Sequence, residues 1–371
     1  MGSTSVITVD HSLKRAASKA CKHVRIPWKC QLNPLLEETQ IKTLDRLTHL
    51  KLIPSASEAR RKQLSEGYGK LAAHMYPELS KEYLELGIDN LYFLFIYDDM
   101  SDNLASVNDP VYVEKLRLID GRVRCILSGG KLKQDGEEEP LAVLLDSILR
   151  RCEAFSHPVW LDQYKKAVAK FFEGIRWERK VRGCGEKMNY LKVENMRAYT
   201  VGFEPCMIMG CMLRCKERAL DVHGSCFLSE LMRAGTLHVA WLNDVFSVCK
   251  DLRDGTGDNV VLVLSRENGL SWEAAVEHVM GLVDDETENI LSLEENLEDL
   301  MGSLDYETKT FVEGLNYIVR GSYDWSMEST RYAGINGLEE EQPVSGRTIS
   351  KKQAGERSTY MSDSGLASCE E

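Results

Sequence analysis

Apolar residues recur along most of this chain every three to four positions, the period of one face of an α-helix. Leu84, Ile88, Leu91 and Phe95 form one such stripe, and Leu237, Trp241, Phe246 and Val248 another. Strand patterning is nearly missing. Asn-Gly occurs once, at Asn336-Gly337, with no alternating β-branched run on either side. Val260 to Leu264 is the one run that reads as β, and it reads equally well as a buried helix segment. Nine prolines punctuate the chain; Pro54, Pro77, Pro158 and Pro205 fall where helices start or stop. The stretch from Asp254 to Asp258, with two glycines, reads as a loop between helices. The pattern predicts an all-α protein with no repeat of fixed period.

The two ends read differently from the body. Residues 1–30 carry Lys14, Arg15, Lys19, Lys22, Arg25 and Lys29 against a lone Asp10, with no apolar signal core. They are expected to be a solvated lead-in segment rather than a transit peptide. From Asn336 the chain turns to Glu339-Glu340-Glu341 and then Ser, Gly, Lys and Gln, the composition of a disordered tail over 336–371. Residues 31–335 remain as one helical domain.

Composition narrows the function. With 371 residues, 43% hydrophobic and 28% charged, the chain can bury a large core. Its net charge of −12 repels phosphate backbones, so nucleic acid is not a general partner. An anionic substrate would have to be held locally, by metal ions or a few placed cations. No apolar run reaches the ~18 residues of a membrane span; the longest, Leu91 to Tyr97, runs straight into Asp98-Asp99. The 11 cysteines show no C-x-x-C pairing, and Cys206, Cys211 and Cys215 sit among Met and Ile as expected for reduced core thiols. A cytoplasmic location is expected.

Two clusters carry chemistry. In Asp98-Asp99-Met100-Ser101-Asp102, positions i and i+4 share a helix face, so Asp98 and Asp102 point together with Asp99 beside them. Clustered carboxylates tolerate one another best around a hard divalent cation such as magnesium. An acidic, solvated helix end is the plain alternative, but the cluster follows the apolar run Phe93 to Tyr97. The second cluster is Asn243, Ser247 and Asp251, with Asp244 and Lys250 alongside. A step of four residues drifts by only about 40°, so amide, hydroxyl and carboxylate oxygens form one stripe of hard ligands. That stripe lies on a helix apolar on most faces, where polar groups need partners.

With these two clusters together, the chain resembles the class I terpene synthases of the bacterial and non-plant type. Asp98 to Asp102 matches their DDxxD motif, and Asn243 to Asp251 their N-D-x-x-S-x-x-K-(D/E) motif. The likeness continues through Asn259-Val260-Val261 and Gly269-Leu270-Ser271 to the Arg331-Tyr332 pair after Trp325, covering roughly residues 60 to 335. The animal, octocoral-like branch is one home among relatives. The resemblance implies a helical bundle around a deep apolar pocket, with three magnesium ions (manganese as a substitute) binding the diphosphate of a linear isoprenyl substrate. Asp98, assisted by Asp99 and Asp102, would hold two ions, and Asn243, Ser247 and Asp251 the third. Arg197 stands where the family has its diphosphate-sensing arginine, and Thr200 to Gly202 where a helix break supplies an effector carbonyl. Arg331 and Tyr332 would close on the diphosphate, and Lys250 would add charge. Phe95, Trp177 and Trp325 are candidates to stabilise a carbocation through their ring faces, although core packing is the commoner role of an aromatic.

Asp251 departs from the Glu of many relatives. Asp284-Asp285-Glu286-Thr287-Glu288 imitates a metal motif, but lies in a stretch dense with acids that reads as a solvated face. No D-x-D-D occurs, so protonation-initiated cyclisation is not supported. The expected function is class I cyclisation of farnesyl or geranylgeranyl diphosphate. A chain-elongating prenyltransferase would carry a second DDxxD and a basic cluster, and neither is present. A non-catalytic isoprenoid-binding scaffold would have no need of complete metal motifs. A metal-dependent phosphatase would release prenyl alcohol alone. A monomer or homodimer is expected.

Overall fold

The computed structural model describes residues 11–102, 109–133, 138–184, 187–301 and 304–338. The chain divides into a helical unit, Met1–Glu339, and a second unit, Glu340–Glu371, which lies outside the described residues, as does most of the expected tail. Fourteen α-helices and no strand occur among the described residues. They are α1 (His11–His23), α2 (Leu36–His49), α3 (Ser57–Glu66), α4 (Tyr68–Met75), α5 (Lys81–Asp102), α6 (Pro110–Leu127) and α7 (Pro140–Glu153). Then follow α8 (Pro158–Gly183), α9 (Tyr190–Thr200), α10 (Phe203–Arg214), α11 (Cys226–Asp254), α12 (Val260–Asn268), α13 (Trp272–Met301) and α14 (Tyr306–Glu328). A 3₁₀ turn, Thr330–Tyr332, ends the series.

Helix ends fall where the local chemistry puts them. Asp109, Asn189, Ser225, Asn259 and Asp305 each accept a hydrogen bond from the first-turn backbone N–H groups of the helix they precede. Pro110, Pro140 and Pro158 occupy first-turn positions, where a missing N–H costs nothing. The β-like run at Val260 is therefore helical. Asn259 caps it, and Val260, Val261, Val263 and Leu264 are buried.

α5 and α11 form the centre. On α5 a continuous stretch, Leu84 to Leu94, is buried, and α11 buries most of its length from Leu228 to Cys249. A fully buried large side chain of this kind contributes about 1.5–3 kcal/mol, so Trp241→Ala would cost about 3–5 kcal/mol once the cavity is counted. Gly87 lets the Tyr76 ring lie against α5. A Cβ there would meet the ring at 2.6 Å, and Tyr76 Oη donates to the Cys206 carbonyl at 2.8 Å. Asp89, wholly buried on α5, pairs with Arg46 of α2 and Arg151 of α7, which pins both to the central helix.

Both ends of the helical unit are more built-in than their sequences suggest. Leu13, Ala17 and Cys21 of α1 are fully buried, and α1 packs against α11 and α13. Within residues 1–30, α1 is therefore not solvated on every side: Leu13, Ala17 and Cys21, at i, i+4 and i+8, form a seam between the lysines. Arg320 donates to the carbonyls of Ile26 and Trp28, fastening the strap after α1 to α14. Asn336, the expected start of the tail, is buried and donates to the carbonyls of Ser326 and Ser329. Cys206, Cys211 and Cys215 are buried free thiols, and desolvation raises the pKa of each.

Candidate active site

A cavity of about 1270 Å³, counting its open mouth, is enclosed by α4, α5, α8, α9, α10, α11 and α14. Its lower wall is apolar, with Leu71, Met75, Leu91, Leu94, Phe171, Phe203 and Trp325. The mouth is polar and carries Asp98 and Asp102 from α5, Asn243, Ser247, Lys250 and Asp251 from α11, and Arg197, Arg331 and Tyr332. Asp99 sits at the rim, half-exposed, on Arg331. The two clusters read from the sequence thus face one space.

On the α5 side, Asp98 has neither an ion pair nor a side-chain hydrogen bond among the described residues. Burial, with Asp102 and Asp99 adding repulsion, pushes its carboxyl up to about 8. Asp99 accepts from Arg331 Nη2 at 3.0 Å, and Arg331 Nη1 reaches Tyr68 Oη at 2.9 Å. The Arg331 guanidinium lies 5.6 Å over the Phe95 ring, which stacks on Tyr68 at 4.2 Å.

On the α11 side, Ser247 Oγ donates to Asp251 at 2.6 Å, and Asn259 Nδ2 donates to the same oxygen at 2.8 Å. Asn243 accepts from Arg197 at 2.9 Å and donates to Tyr332 Oη at 2.7 Å. Arg197 also pairs with Asp244 at 2.9 Å, whose second oxygen accepts from the Val260 N–H at 2.8 Å. Burial pushes Asp244 up to about 7 although Arg197 pulls it down; burial likewise raises Asp251. Lys250 lies 3.2 Å from Asp254 and 4.0 Å from Asp251. Between α9 and α10 the helix breaks at Val201 and Gly202. Gly202 has φ +73°, a left-handed conformation that favours glycine, and Arg197 Nη1 donates to Thr200 Oγ1 at 3.2 Å. The expected break is in place.

The family model described as terpene synthase family 2, C-terminal metal binding, matches residues 89–289. The chain belongs to the terpene synthase family. This class I terpene synthase is 24% identical to the (+)-T-muurolol synthase of Roseiflexus castenholzii, over 76% of this chain and 85% of that one. It is 29% identical to the pentalenene synthase of Streptomyces exfoliatus, over 79% and 89%. In fold it matches the linalool/nerolidol synthase of Streptomyces clavuligerus, with TM-score 0.73 and 20% identity, covering 82% of this chain and 100% of that one.

Some features of the synthase were not read from the sequence. Arg182 of α8 binds three carboxylates at once: Asp102 at 2.6 Å, Asp258 at 2.7 Å and Glu178 at 2.8 Å. Burial drives Glu178 well above the ordinary carboxyl range, whereas at Asp258 burial is outweighed by Arg182 and the carboxyl sits below it. The cluster draws on two helices, α5 and α8, and the loop after α11, with no spacing to betray it; only the i, i+4 pair Glu178–Arg182 was visible in principle. Asn259 is the other omission, since it caps α12 with its oxygen while its amide holds Asp251. His238 lines the wall, fully buried, with both ring nitrogens unpartnered, and burial holds it neutral down to about 4. Phe95 and Trp325 line the cavity, but Trp177 does not. It lies one position, about 100°, around α8 from Glu178. The acidic run at Asp284 lies on α13, outside the cavity lining, with Asp284, Asp285 and Glu288 exposed.

Proposed function

We propose that this chain cyclises farnesyl diphosphate to a sesquiterpene and releases inorganic diphosphate. The observation that carries the reading is the opposition of two hard-oxygen sets across the mouth of one apolar-walled cavity. The C15 substrate is supported by the (+)-T-muurolol synthase, whose name states that it cyclises (2E,6E)-farnesyl diphosphate.

The residues fit the expected metal. Asp98 is an unpaired carboxyl pressed against two others, and every expected ligand is a carboxylate, amide or hydroxyl oxygen. Asp98, Asp99 and Asp102 would hold magnesium on one side, and Asn243, Ser247 and Asp251 on the other, three ions in all by the resemblance, with manganese as a substitute. When bound, magnesium neutralises the charge that develops on the departing diphosphate.

Arg197, Arg331 and Lys250 add positive charge at the same mouth, and Tyr332 offers a hydroxyl, so the chain itself binds and orients the anionic head. Phe95 and Trp325 line the cavity, where an aromatic ring stabilises a migrating cation by about 1–2 kcal/mol when dry. Apolar side chains below exclude water that would quench the cation early. No helix among the described residues is long and apolar enough to cross a membrane. We read the protein as cytoplasmic, acting as a monomer or homodimer. The octocoral-like placement rests on the motif resemblance.

The test is incubation of purified protein with farnesyl or geranylgeranyl diphosphate, with and without magnesium, read by gas chromatography–mass spectrometry. A cyclic product from the farnesyl substrate, only with magnesium, is expected. Longer linear diphosphates would move the assignment to a prenyltransferase, and prenyl alcohol alone to a phosphatase.

A further inference from the structure

Behind the cavity wall lies a second donor cluster of different chemistry. The Cys30 thiol, the His74 imidazole and an Asp324 oxygen lie within 4.8 Å of one another. They come from three elements: the strap after α1, the helix α4 and the helix α14. His74 Nδ1 is hydrogen-bonded to the Gln31 carbonyl oxygen at 2.8 Å, which sets its proton on Nδ1 and directs the lone pair of Nε2 outward. The His74 side chain is 3% exposed, and Nε2 has no hydrogen-bond partner. An orphaned buried nitrogen is costly in a fold that otherwise satisfies its polar groups. Glu328 Oε2, held by Lys70, lies 3.8 Å from it, too far for a hydrogen bond.

We propose that Cys30, His74 and Asp324 form a binding site for a zinc-class divalent cation, separate from the magnesium ligands. Sulfur and imidazole together select zinc-like ions over magnesium, whereas the cavity mouth offers oxygen alone. A tetrahedral ion needs donors about 3.5 Å apart, so the three close up by about 1 Å, with the Glu328 carboxylate or a water in the fourth position. Arg320 grips Asp324 through Nε at 2.9 Å and Nη2 at 2.8 Å, and the Cys30 thiol also bonds it; a carboxylate has about four lone-pair sites, and loss of the thiol proton on metal binding frees one of them. Cys30, the exposed member, is the entry side. Burial and Asp324 push its thiol up to about 11, so binding displaces a proton and is weaker in acid. The ion would staple the strap to α4 and α14, two helices that carry cavity-lining residues.

The test uses the full-length protein, stripped with chelator, returned to magnesium buffer and titrated with cobalt(II). A near-ultraviolet thiolate-to-cobalt charge-transfer band saturating at one equivalent, and displaced by zinc, is expected. Cys30→Ser loses the band, Asp324→Asn weakens binding about 10–100-fold, and Cys184→Ser, at another exposed thiol, leaves it unchanged. Zinc at about a hundredfold excess over Kd raises the melting temperature of the wild type by about 3–4 °C, and does not raise that of Cys30→Ser. The proposal is overturned if the wild type shows no such band, if Cys30→Ser retains it, or if zinc stabilises both proteins equally.

Discussion

On the α11 side of the cavity mouth the proposed ligand set is fixed largely from nearby sequence. Ser247 and Asn259 both hold Asp251, and Asn259 is itself locked as the cap of α12. Across the mouth on α5, support comes only from elsewhere: Asp99 from Arg331, Asp102 from Arg182, and Asp98 from nothing described. One side spends little reorganisation when a cation arrives; the other stores repulsion that a cation relieves.

Four measurements break or sharpen that contrast. The largest effect falls on Asp98. Asp98→Ala should lower turnover about 10³-fold while leaving helical circular dichroism intact. Since Asp98 is held up to about 8, its charged form is disfavoured in the fold, and stability from this group is gained as pH falls through that value. The metal-free Asp98→Ala protein should therefore melt no lower than wild type at pH 8–9; a marked drop would show that Asp98 supports the fold instead.

Next is Arg182→Met, which strands three acids and should cost about 3–5 kcal/mol in urea denaturation. If it costs under about 1 kcal/mol, the α5 side does not depend on that cross-link. Asn259→Ala should raise the magnesium concentration for half-maximal activity about 10–100-fold. An unchanged requirement would mean that Asp251 is held without it.

The smallest effect concerns His238, whose pKa falls from an ordinary 6.5 to about 4. The unfolded chain binds this proton more tightly, so the contribution is complete above pH 6.5 and is lost as pH falls toward 4. From pH 7 to pH 5 the loss is about 2 kcal/mol. His238→Phe should show a shallower acid-side fall in stability, and an identical profile would contradict the neutral assignment.

What the sequence conveyed follows from how local each signal is. Helices α5 and α11 and both oxygen clusters were legible because their members repeat at helical spacing within one element. Arg182, Asp258 and Asn259 were not, because their meaning arises only when α8, the loop after α11 and α12 converge. The α1 seam was hidden by charge: six basic residues outweigh Leu13, Ala17 and Cys21 in any reading by composition. Trp177 shows the opposite failure, an eye-catching aromatic on the wrong side of its helix.

The α1 contact also bears on how the chain comes to be folded. α1 packs against α13, and Arg25, just after α1, meets Glu288 of that helix across 263 residues of sequence. At about 5–20 residues per second of synthesis, the first helix leaves the ribosome roughly 13–50 s before its docking surface exists. Its apolar seam is without that partner for that interval, so α1 docks only once α13 has been made.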